Sequence, residues 1–142
     1  MAEFFSSEQR EKIVAAIAEA ELNTSGEIRV HVVPRCKGDP MAAASRCFKR
    51  LDMTATELRN GVLFFLAYKD RKFAVLGDSG IDAVVPDDFW QVVVDLMAAH
   101  FREERFVEGL CEGILRAGSI LRAHFPYAAD DKDELPNEIS YE

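Results

Sequence analysis

The 142-residue sequence has no apolar run long enough to cross a bilayer. Its longest, Val62-Leu63-Phe64-Phe65-Leu66-Ala67, falls far short of the roughly 20 residues a spanning helix needs. Cysteine is scarce and unpatterned. Cys36, Cys47 and Cys111 are odd in number and in no C-x-x-C spacing, which argues against a disulfide framework or a structural zinc site and leaves them as small apolar residues. Basic residues are outnumbered, 17 against 25 acids, for a net charge of −8. That balance argues against a nucleic-acid partner, which would want a basic face. The opening Met1-Ala2-Glu3-Phe4-Phe5 lacks the basic n-region of a signal peptide, so the expected compartment is the cytoplasm. G-x-G-x-x-G, Walker A, G-x-S-x-G and H-E-x-x-H are all absent, and His31, His100 and His124 have no metal-ligand spacing.

What is present reads as one domain over residues 1–129 with an adequate core, followed by an acidic tail at 130–142. The tail holds six acids and one base, Lys132, and is expected to be solvated. Ser6 and Gln9 form a capping box for a helix over about 7–22. Glu27–Val33 alternates as a strand, with Ile28, Val30 and Val32 inward and His31 on the polar side. A second helix is expected from Met41 to Leu51, with a short helical turn near Thr54–Leu58. Val62–Tyr68 is apolar throughout and reads as a central strand covered on both faces. The polar turn Lys69-Asp70-Arg71-Lys72 makes the strand at 72–76 its antiparallel partner. The strands at 27–33 and 62–68 are joined through a helix and should be parallel, with a right-handed crossover. Pro86-Asp87-Asp88 reads as a helix start with Asp87 as N-cap, and a last helix runs from about Phe106 to His124. The expected fold class is α/β: a three-layer α/β/α sandwich with a small mixed, mostly parallel sheet plus one antiparallel hairpin.

These strand directions bring three loops to one edge of the sheet: 24–27, 59–61 and 77–82. Each contains a glycine and a polar or acidic residue, and Asp87 and Asp88 follow closely. Hard divalent cations take oxygen ligands from carboxylates, amides and backbone carbonyls. Asp78, Asp82, Asp87, Asp88, Glu27 and Asn60 are therefore the candidate metal ligands. The same residues also read as ordinary structure: Gly77-Asp78-Ser79-Gly80 as a turn, Asp87 and Asp88 as helix caps, Glu27 as a solvent-facing strand residue.

"RNGVLFFLAYKDRKFAVLGDSGI" (59–81), Pro86 with Phe89-Trp90, "FVEGLCEGI" (106–114) and "AEAELNTSGEIRVHV" (18–32) together resemble the TPM domain family. That family is known from a thylakoid-lumen protein linked to photosystem II repair and from many bacterial proteins. The resemblance implies an α/β/α sandwich and a divalent-cation site near the glycine loop, where Gly77, Gly80, Ile81 and Asp82 match the family pattern. Asp78 is an additional carboxylate. Many members carry a signal peptide or a transmembrane segment, and neither is seen in this sequence. Two functions follow as expectations. One is a Ca²⁺- or Mg²⁺-dependent phosphatase acting on a small phosphorylated substrate, with Asp78 as base or nucleophile and Arg59 on the phosphate. The other is a non-catalytic module, ordered by metal, that binds a protein partner. The expected state is a monomer.

Overall fold

The capping box forms as read. The Ser6 side chain accepts from the Gln9 backbone N–H, the Gln9 side chain accepts from the Ser6 N–H, and α1 runs Ser7–Ala20. The computed structural model describes residues 4–127 and 139–141. Strand β1 (Glu27–Val33) leads to α2 (Pro40–Arg50), which opens with Pro40 in its first turn and Asp39 accepting from the Met41 N–H. The hairpin β2 (Gly61–Ala67) and β3 (Lys72–Gly77) follows. After it come a four-residue helix α3 (Ser79–Asp82), then α4 (Gln91–Phe101) and α5 (Phe106–Leu121), and a short strand β4 (Ile139–Tyr141).

The sheet order is β3-β2-β1-β4. β1 pairs with β2 in parallel, Glu27 opposite Gly61 through Val33 opposite Ala67, while β2 and β3 are antiparallel. β4 lies parallel to β1, with Ile139 opposite Val30. Alternate residues of the strands face two separate cores. Ile28, Val30, Val32, Val62, Phe64 and Leu66 meet α1, α4 and α5 on one face. Leu63, Phe65, Ala67 and Ala74 meet Ala44, Cys47 and Phe48 of α2 on the other. This is the three-layer α/β/α arrangement with a mixed sheet.

Several local expectations change. His31 is 2 % exposed, because α2 covers the face that alternation alone assigns to solvent. Its ring lies 6.2 Å from that of Phe65, and its Nδ1 is 2.7 Å from the Ser140 hydroxyl on β4. Glu27 is likewise buried rather than solvent-facing. Residues 54–58 form turns and bends, not a helix. α4 starts at Gln91, not at Asp87. The Phe89 N–H bonds back to Pro86 O and the Gln91 N–H to Asp88 O, so a tight turn precedes the helix. α5 ends at Leu121. Within the acidic tail, 139–141 pair as a strand instead of remaining solvated, and 130–138 and 142 lie outside the described residues. No described helix is long and apolar enough to cross a membrane.

Candidate functional site at the acidic loop edge

The three loops do meet, and backbone bonds stitch them together. The Glu27 N–H donates to Asn60 O at 3.3 Å, the Asp78 N–H to Gly61 O at 2.9 Å, and the Gly80 N–H to Arg59 O at 2.8 Å. The last contact demands glycine. A Cβ on residue 80 would lie 2.1 Å from Leu58 O and 2.6 Å from Arg59 O, well inside van der Waals contact. Arg59 holds a left-handed backbone, φ 52°, which turns the chain into β2.

Side chains complete the stitching. Asn60 is buried; its N–H donates to the Thr56 hydroxyl and its amide nitrogen to Ser25 Oγ at 3.3 Å. The Thr24 hydroxyl donates to Phe125 O while accepting from the Gly26 N–H, so the segment after α5 is tied to the same edge. The Glu21 carboxylate accepts from the Ile28 N–H at 3.0 Å. Thr24, Thr56 and Glu21 were not among the sequence candidates. Each binds a backbone group through a side-chain oxygen, a pattern common to many loops, and no motif marks them out.

Asp78 and Arg59 form the centre. Arg59 Nε donates to Asp78 Oδ2 at 2.8 Å and Nη2 to Oδ1 at 3.0 Å, a bidentate pair. Asp78 Oδ1 also accepts from the Ser79 N–H at 2.7 Å and so caps α3. Asp78 is buried, whereas the Arg59 side chain is 48 % exposed. The carboxylate pushes the Arg59 guanidinium above its ordinary value, first by hydrogen bonding and then by charge. Asp82 is exposed one helical turn further on. Its carboxyl is raised above the ordinary 3.8, first by partial burial, then by the charges of Asp78 and Asp87. Asp87 and Asp88 are exposed in the turn that precedes α4.

The structure thus joins Asp78 to Arg59 and sets Asp82 in the field of Asp78 and Asp87. Glu27, at the start of β1, and Asn60, just before β2, sit below the surface. The donors are all oxygen, which suits a hard cation rather than a thiophilic metal. As the side chains stand, no three His, Cys, Asp or Glu residues among those described are grouped closely enough to hold a metal ion.

A mixed sheet layered between helices, with stitched acidic loops at one edge, defines the class: a small α/β/α sandwich domain. The chain belongs to the TPM domain family, which matches residues 1–120. Its fold is closely similar to that of the BA42 protein from the psychrophilic bacterium Bizionia argentinensis, solved by NMR. The two are 44% identical with a TM-score of 0.93, over 100% of this chain and 98% of that one. More distant likenesses show the fold alone. The N-terminal domain of the cg2496 protein from Corynebacterium glutamicum is 14% identical with a TM-score of 0.66, over 96% of this chain and 80% of that one. An N-terminal domain of a protein from P. gingivalis is 21% identical with a TM-score of 0.68, over 87% of this chain and 82% of that one. No curated protein matches the chain.

Proposed function

We propose that the acidic loop edge takes up a divalent cation, Ca²⁺ or Mg²⁺, and that the domain works as a cation-ordered binding module. The observation behind this reading is the interlocking of three loops at one sheet edge, which sets Asp82 near Asp78 and Asp87. Partial burial first, and then those two charges, raise the Asp82 carboxyl, and a bound cation would relieve the charge part. Asp82 and Asp87 supply carboxylate oxygens, and Asp78 shares an oxygen already held by Arg59. Asp88, Asn60 and Glu27 at the start of β1 flank them as further donors. Binding draws these groups closer than they lie without the ion, so the ion orders the surface on which a protein partner docks.

The geometry favours the module over an enzyme. Both Asp78 oxygens accept hydrogen bonds from Arg59 or the Ser79 N–H, which blunts the carboxylate as nucleophile or base. Hydrolysis of a small phosphate monoester is the second reading, favoured by the half-exposed Arg59 side chain at the same edge. In that reading the cation supplies charge neutralisation, and Arg59 orients the phosphate while Asp78 orients Arg59. Melting curves with and without Ca²⁺ or Mg²⁺, run beside turnover of p-nitrophenyl phosphate, separate the two. The module predicts stabilisation by cation, lost in Asp82→Asn, with no turnover. Turnover that survives purification and disappears in Asp78→Asn establishes the enzyme.

A further inference from the structure

The opposite end of the parallel strands carries the opposite charge. Residues 28–51 hold six basic side chains and one acid, Asp39, in a chain whose net charge is −8. Four of those bases, Arg35, Lys37, Arg46 and Arg50, line one cleft of about 210 Å³. Its floor is apolar, built from Val33, Phe65 and Ala43. The cleft runs from the C-terminal end of β1 along α2; Val33 in its floor lies about 20 Å from Glu27 at the strand rise of roughly 3.3 Å per residue. Ligands of open α/β sheets bind outside the carboxyl ends of parallel strands.

The loop that forms the rim is braced from both sides. Asp70 accepts from the Cys36 N–H at 2.8 Å and from Arg35 Nη1 at 2.9 Å. Lys72 Nζ donates to Cys36 O at 3.0 Å and to Gly38 O at 2.8 Å. Two acids adjoin this rim: Asp70, whose charge Arg35 balances, and Asp39, which caps α2. Lys37 and Arg46 make no ion pair among the described residues, and both are exposed. Two groups behind the cleft register its positive field. The charges of Arg50 and Arg29 add to burial in lowering His31, and they oppose burial at the Cys47 thiol.

We infer that this cleft binds a small multivalent oxyanion of the size and charge of phosphate, gripped by Lys37, Arg46 and Arg50 with Arg35 at the rim. Cleft volume limits the ligand, because pockets that enclose drug-sized molecules run to about 300–1,000 Å³. Arginine forks and a lysine ammonium are the side chains that match a tetrahedral oxyanion. The site is separate in place and in sign from the cation-binding edge.

The test is an NMR titration of the full chain with inorganic phosphate, sulfate and pyrophosphate, against sodium chloride at matched ionic strength. A chelator is present throughout, so the cation reading is not engaged. Expected are saturable shifts of the backbone amides of 35–37 and 43–50 with the oxyanions and not with chloride, tightest for pyrophosphate. Arg46→Gln and Lys37→Gln each weaken binding by roughly tenfold, the loss of one charge-assisted hydrogen bond. Both residues are exposed, and an unchanged spectrum without ligand verifies each variant's fold. Shifts that fail to saturate, that chloride reproduces, or that persist unweakened in Arg46→Gln overturn the site.

Discussion

The two ends of the parallel strands are built differently. At the acidic end, backbone contacts do most of the work. Three loops interlock through carbonyls and amides, Gly80 packs directly on the 58–59 backbone, and one buried carboxylate holds Arg59 and caps α3. At the basic end a short braced loop presents long, mostly exposed side chains around an open cleft. The first end is precise and tolerates little substitution. The second tolerates much, because its charges sit on flexible stems in water. The contrast teaches that crowded charges have unlike consequences at the two ends. At the first, partial burial and then the charges of Asp78 and Asp87 raise the proton affinity of Asp82, while at the second burial and then the charges of Arg50 and Arg29 depress that of His31.

The largest effect expected is steric. Gly80→Ala drives a methyl into the Leu58 and Arg59 carbonyls, and overpacking of this kind costs about 1–3 kcal/mol or more. Denaturant unfolding measures it directly. Gly38→Ala at the basic end is a fair control. Its φ of 79° carries a strain of about 1–2 kcal/mol, but no atom lies within 4 Å of the added Cβ. A larger loss at Gly38 than at Gly80 would reverse the assignment of the rigid end.

Acid comes next. Burial, with Arg50 and Arg29, lowers His31 from 6.5 to about 4. Between those values the unfolded chain binds a proton that the folded chain refuses, so the stability is full above pH 6.5 and falls as pH drops toward 4. The loss is on the order of 3 kcal/mol by linkage. His31→Gln should flatten this limb in unfolding experiments run from pH 7.5 to 4. An unchanged slope would place the acid sensitivity elsewhere.

Asp82 works in the opposite sense. Its raised carboxyl means the folded chain holds the proton more tightly, so ionisation lowers stability as pH rises from 3.8 through the raised value. Asp82→Asn should therefore melt at a slightly higher temperature than the parent chain at pH 7, with the gain gone below pH 3.8. It should also lose the stabilisation that cations give. A variant that melts lower at neutral pH would show that Asp82 is not strained by its neighbours.

The smallest effect belongs to the hairpin turn. Arg71 and Glu104 pair at 2.6 Å, with side chains 67 % and 63 % exposed. Solvent screens such a pair, and Arg71→Ala should cost under about 1 kcal/mol. Asp78→Asn, which disturbs a carboxylate that is buried and also a helix cap, should cost more, and the same unfolding assay ranks the two.

Much of the framework was legible because it rests on short-range pattern. The boundaries of β1 agree with its alternation, the apolar β2 lies at the centre of the sheet, and the charged turn at 69–72 gives the antiparallel hairpin. The convergence of the three loops followed from strand direction alone. Misreadings arose where tertiary cover outweighs pattern. His31 sits at a polar position of an alternating strand, yet α2 buries it, and the expectation that a parallel sheet is covered on both faces would have corrected this. β4 is three residues behind an acidic run, too short for any periodicity to register. Asp87 has the residue type of an N-cap, but i→i+3 bonds at 86–91 make a turn there first. Asp78, read as a turn residue and candidate ligand, proved to be the partner of Arg59. No spacing rule links positions 59 and 78, because the register of the hairpin is what joins them.

The central claim is that the acidic edge, and not the basic end, answers to divalent cations. Its most direct test is an amide NMR titration of the full chain with Ca²⁺ and, separately, Mg²⁺. The account predicts saturable shifts confined to residues 24–27, 59–61 and 77–88, no response at 35–37 or 46–50, and loss of the response in Asp82→Asn. Silence at 77–88, or equal shifts in Asp82→Asn, would contradict it.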